Sequence, residues 1–111
     1  MEKYGVDIYL GTTDVNRGGR VYTTEELQQE ISRYLIRTET GFSLSDQVGG
    51  YLYADGSFII ENSVRISLLD PPEEAVLAAL VAHLKQTFHQ ETVLVVRTRL
   101  EMKYYQDGIR L

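Results

Sequence analysis

Two helix starts, each followed by one apolar stripe and each bracketed by alternating segments, restrict this chain more than any other feature. Thr23-Thr24-Glu25-Glu26 has the form of a capping box, in which a threonine hydroxyl serves an amide three residues on and a glutamate reaches back. Leu27, Ile31, Tyr34, Leu35 and Thr38 then share a stripe, which predicts a helix over 24–38. Asp70-Pro71-Pro72-Glu73 predicts the second start, with Asp70 as cap, proline at the first helical position and glutamate at the third. Leu77, Leu80, Val81, Leu84 and Phe88 continue it to residue 89.

The flanking segments alternate. Tyr4, Val6, Ile8 and Leu10 read as one face of a first strand. Phe42, Leu44, Tyr51 and Tyr53 lead to Asp55-Gly56, a hairpin signal, and Phe58, Ile60, Val64, Ile66 and Leu68 form the returning arm. A two-residue turn would set Tyr53 opposite Phe58, and a bulge at Gly49-Gly50 would then keep the alternation in phase. Leu94, Val96, Thr98, Leu100, Met102 and Tyr104 predict a last strand of some 13 residues with those side chains inward, roughly 43 Å long at 3.3 Å per residue. The order βαββαβ predicts an α+β, ferredoxin-like plait: a mainly antiparallel sheet with two helices on one face. Right-handed crossovers set the strand order 4-1-3-2.

Composition narrows the function classes. With 111 residues, 43% hydrophobic and 24% charged, the chain suits one globular domain over 1–111. It has no cysteine, so disulfides, thiolate metal sites and cysteine nucleophiles are excluded together. A net charge of −5 argues against nucleic acid as a partner, since phosphate backbones are bound by clustered Lys and Arg. No apolar run approaches the roughly 18 residues of a membrane span, and no apolar leader opens the sequence; the expected setting is cytoplasmic.

Three features are candidates for function. In the polar stretch before the first helix, Arg17 and Arg20 flank Gly18 and Gly19, with Tyr22 close behind. Amides, guanidiniums and a helix N-terminus suit an anion, although the spacing matches neither a P-loop nor a dinucleotide fingerprint; a solvated linker is the plain alternative. The second feature is the sheet face opposite the helices. By parity it shows Asp7, Tyr9, Ile59, Glu61, Arg65, Arg97, Arg99, Glu101 and Lys103, either as a solvated surface or as an interface. RNA-recognition domains use this face but need stacking aromatics on the central strands. The third is tyrosine: of eight, Tyr4, Tyr51, Tyr53 and Tyr104 take inward parity, whereas Tyr9, Tyr22 and Tyr105 have no place in the core and suit an interface.

His83 and His89 lie on opposite flanks of the second helix and cannot share a metal, so packing is their simpler reading. An acylphosphatase reading would use an arginine at the first helix start and Asn62, but Asn62 has inward parity and the surrounding motif is missing. No metal site, cofactor or catalytic residue is assigned.

Gly41-Phe42, Gly50-Tyr51, Glu61-Asn62-Ser63, the run from Phe88 to Leu94 and the opening Ile8-Tyr9-Leu10-Gly11 are similar to a family of small uncharacterised bacterial and phage proteins. That family often carries tryptophan where Tyr51 stands. The resemblance implies the plait fold and supplies no established activity. The expected function is that of a non-catalytic, self-associating protein holding a small anionic ligand, such as a nucleotide sequestered by a phage against host defence. A protein-interaction module using the open face or last-strand edge is the alternative, and a small hydrolase the third.

Overall fold

β1 (Lys3–Gly11) alternates between Val6, Ile8 and Leu10, all buried, and the half-buried Asp7 and Tyr9. This computed structural model describes residues 3–14, 20–52, 54–69, 73–90, 93–103, 105–106 and 109–110. After β1 come a short ribbon of β2 (Thr13–Asp14) and β3 (Arg20–Val21), then α1 (Thr24–Arg37), β4 (Ser43–Leu52), β5 (Phe58–Leu69), α2 (Glu74–Phe88) and β6 (Leu94–Leu100). A second ribbon, β7 (Tyr105–Gln106) with β8 (Ile109–Arg110), follows. The main sheet has the order β4-β5-β1-β6 with every pairing antiparallel. Counting its strands along the chain gives 4-1-3-2, the ferredoxin-like arrangement the crossovers predict.

α1 forms as its sequence demands. The Glu26 amide donates to Thr23 Oγ1 at 3.0 Å and the Thr23 amide to Glu26 Oε1 at 3.3 Å, so the capping box is closed. Leu27, Ile31 and Leu35 of α1, with Leu77, Leu80, Leu84 and Phe88 of α2, cover Val6, Ile8, Leu10, Val64, Ile66 and Leu68 of the sheet.

The second helix starts later than expected. Asp70, Pro71 and Pro72 lie outside the described residues; the helix begins at Glu74, and its cap, Glu73, makes no side-chain cap bond. The hairpin also differs. Its innermost pair is Leu52 with Phe58, and the register runs unbroken to Ser43 with Ser67, so there is no bulge at Gly49-Gly50. A longer loop absorbs the odd residue: Asp55 accepts from the Ser57 amide at 2.9 Å and from its hydroxyl at 2.6 Å, while Gly56 takes φ +89.

The outer half of this hairpin passes beyond the helices. Phe58 and Ile60 lie on the helix side of the sheet, as parity predicts, but without the bulge it is Val48 and Leu52 that join them there, while Tyr51 pairs with Ile59 on the open-face parity rather than inward. The four are 64–72% exposed because no helix reaches them. The radius of gyration is 15.9 Å, against roughly 13 Å for a chain this long folded into a ball.

β6 brings the largest correction. Its partners are Val6 for Arg97, Ile8 for Val95 and Tyr4 for Arg99, and directly paired residues share a face. Arg97 and Arg99 therefore stand on the helix side, where Arg97 bonds Glu74 of α2, and the open face receives Leu94, Val96, Thr98 and Leu100. The strand ends at Leu100 after seven residues rather than 13, and Lys103 lies beyond it, exposed and outside any strand.

Candidate functional site

The sheet face without helices is built in rows. Ser43, Ser67, Asp7 and Val96 form one, and Ser45, Arg65, Tyr9 and Leu94 the next. Gln47, Ser63 and Gly11 form the third, and Gly49 with Glu61 the next one out along the hairpin. Period-2 geometry forces this grid once the register is set. Its β4–β5 half is paved with small hydroxyl side chains, while its β6 edge is apolar. Leu100 folds back over Gly5, where an added Cβ would lie 2.9 Å from its Cδ1.

Charge is concentrated at two points of the grid. Arg65 donates to Asp7 at 2.9 Å and Ser67 donates to the other Asp7 oxygen at 2.8 Å. The Arg65 hydrogen bond holds the Asp7 carboxyl below the usual carboxylate range, with burial opposing and Ser67 reinforcing it; Arg65 is raised in return. The Nε of Arg65 is buried with no partner among the described residues. The second point is Glu61, whose carboxylate lies over the bare backbone of Gly11. A Cβ on Gly11 would come within 2.7 Å of Glu61 Oε1. Among the described residues no ion pair of Glu61 occurs. Its outward parity was legible in the sequence. Its seat on Gly11 was not, since that depends on a cross-strand register.

Of the loop residues proposed for an anion, Arg17, Gly18 and Gly19 lie outside the described residues, and Arg20 is placed by its backbone in β3. Tyr22, expected outside the core, is 7% exposed and stands edge-on to Phe88 with ring centres 5.2 Å apart. It also walls a cleft of about 350 Å³ between the two helices, with Glu26, Glu30, Arg33 and His89 around it. Above that cleft, His83 stacks on Tyr34 at 4.4 Å and lies 3.1 Å from Glu30, a carboxylate that comes from the other helix and that spacing along α2 could not reveal. Asn62 is exposed; its carbonyl accepts from the buried Thr12 hydroxyl at 2.9 Å. Tyr105 is exposed in the last ribbon.

No group of three or more His, Cys, Asp or Glu among the described residues is placed to hold a metal, and no described helix is long and apolar enough to cross a membrane.

No family model matches the chain, and no curated protein does. Solved structures do share its architecture. A phage SAM lyase in its apo state, 23% identical, superposes with a TM-score of 0.66 over 95% of this chain and 94% of that one. The phage SAM lyase in complex with S-methyl-5′-thioadenosine gives 0.65 over 87% and 81%. CutA1 from Oryza sativa, 11% identical, gives 0.58 over 92% and 83%. The likeness is one of fold. It supports the α+β ferredoxin-like architecture reached from the strand order, and it brings a phage protein among the neighbours.

Proposed function

We propose that this chain self-associates and binds an adenosine-derived sulfonium, with S-adenosylmethionine as the type ligand, at the Glu61 end of its open sheet face, and that it is an enzyme of the SAM lyase kind. The observation that carries this reading is the Glu61 carboxylate lying on Gly11 with no counter-cation among the described residues. A sulfonium is a localised cation, and a carboxylate in a partly shielded site attracts it more strongly than in bulk water. The surroundings suit the rest of such a molecule: Ser45 and Gln47 offer partners for ribose hydroxyls, and Tyr9 with Leu94 offers an apolar surface for a purine. The two SAM lyase structures, one holding S-methyl-5′-thioadenosine, support the choice of ligand class. This departs from the non-catalytic expectation above.

The test is to incubate purified protein with S-adenosylmethionine and follow S-methyl-5′-thioadenosine by chromatography, with calorimetry for binding. Turnover by the parent and a loss of at least about 100-fold in Glu61→Gln is expected, the scale for removing a group that acts electrostatically at the reacting centre. A parent that shows no binding and no turnover would sink the reading. The anionic-nucleotide alternative has its own arm. It rests on Arg20 standing three residues before the α1 cap, and it requires that nucleotides shift the melting temperature and that Arg17→Ala and Arg20→Ala remove the shift.

A further inference from the structure

Among the described residues, two apolar surfaces remain on the helix side of the sheet, one toward each edge. The first is the projecting hairpin arm with Val48, Leu52, Phe58 and Ile60. Phe58 lies flat across Gly50, where an added Cβ would sit 2.8 Å from its ring. The second is a groove of about 360 Å³ between the flank of α2 and β6, lined by Leu77, Ala78, Val81, Ala82 and Val95, with the Glu74–Arg97 pair closing one end and Lys85 on the rim.

We infer that the arm of one copy of this chain seats in the α2–β6 groove of a second copy. The inference rests on the self-association reading and adds to it which surfaces meet. Three physical points lead there. β4 and β6 are the two edges of the main sheet, and long open edges are disfavoured in a free monomer. In the order β4-β5-β1-β6 all neighbours are antiparallel, so β4 and β6 run in opposite senses. Laying β6 of a neighbour beside β4 therefore continues the antiparallel alternation and keeps the helices on one side. With the neighbour slid along β4 toward the hairpin end, past the row of Ser45, Arg65, Tyr9 and Leu94, its α2 flank covers the helix side of the arm, which the arm's own helices leave bare.

Area agrees with geometry. An aromatic side chain buries roughly 150–250 Å² and an aliphatic one somewhat less, so the four arm residues offer on the order of 400–500 Å² of apolar surface. That is more than half of the roughly 800 Å² per partner in a stable interface, before any edge-strand backbone is counted. Because arm and groove are different surfaces, the contact is head-to-tail and closes into a ring or propagates.

The absence of cysteine in the parent makes the test clean. Ile60→Cys on the arm and Ala82→Cys in the groove are co-expressed and treated with a short bis-maleimide, with Ile36→Cys on the exposed side of α1 as control. Cross-linked dimer from the 60/82 pair, but from neither variant alone nor from 36 with 82, is the expected result. Phe58→Glu and Val81→Glu should each shift the oligomer to monomer in native mass spectrometry with the circular dichroism of the parent. Efficient 60/60 cross-linking would mean that arm meets arm, and overturns the inference. So does an intact oligomer with no 60/82 product, which leaves self-association standing on other surfaces. A parent that is monomeric throughout removes both readings.

Discussion

Gly11 and Glu61 set the chemistry of the open face at the level of single residues. A methyl at position 11 meets only the far end of a flexible side chain, so Gly11→Ala should swing Glu61 aside rather than deform the sheet. Glycine in a strand is itself a cost of roughly 0.5–1 kcal/mol relative to alanine, which offsets the push. Gly11→Ala is therefore expected to unfold in urea within about 0.5 kcal/mol of the parent, the range of a substitution with no buried partner lost, yet to bind S-adenosylmethionine as poorly as Glu61→Gln does. Parent-like affinity in calorimetry would detach Glu61 from the site. The Asp7–Arg65 pair makes a separate prediction about pH. Asp7 titrates lower in the folded chain than in the unfolded one, so its contribution is complete above the unfolded value near 3.9 and is lost as pH falls from there through the folded value. The stability difference between parent and Asp7→Asn should be flat above about pH 5 and shrink below about pH 4; a difference that shrinks instead on the alkaline side contradicts the assignment.

Individual elements show what could be read from the sequence and what could not. α1 was fully legible because its signals are local: the box residues, Thr23 and Glu26, are three apart and the stripe needs no partner. Thr23→Ala should cost about 1 kcal/mol in urea unfolding. α2 presents the converse. Glu73 has the extended backbone of a cap, φ −52 and ψ 154, but a side chain that caps nothing, so Glu73→Ser should stabilise by about 0.5–1 kcal/mol. If Glu73→Ser is neutral or destabilising, the helix entry is held by something other than its cap. β6 was misread because Val93, Leu94, Val95 and Val96 are apolar at both parities, so alternation fixes no phase there. Arg97 and Arg99 favoured the outward choice, and the register with β1 decided against it. An arginine is tolerated on the helix side because β6 is an edge strand, where the aliphatic stem of Arg97 lines the groove and its head reaches Glu74. The hairpin arm failed differently. Parity placed Phe58 and Ile60 on the correct face, but parity cannot say where the covering helices stop.

At the scale of the whole molecule, that overhang separates folding from assembly. The core residues are buried by elements of the same chain, whereas Val48, Leu52, Phe58 and Ile60 are solvent-exposed in it, and their apolar surface contributes little until a partner arrives. Replacing them should leave the isolated fold as stable as before and weaken only what association adds. Association adds stability by mass action, so the melting temperature of the parent should rise with protein concentration, and that of the Phe58→Ser/Ile60→Ser double variant should not. At the lowest concentration the two curves should converge. Salt discriminates the nature of the contact: an apolar seat holds or tightens between about 0.1 and 1 M salt, whereas exposed ion pairs would be screened over the same range. A concentration-independent melting temperature in the parent, or a double variant that melts lower at every concentration, would mean that the arm serves the single chain's own stability, and the division between fold and assembly drawn from its exposure would fall.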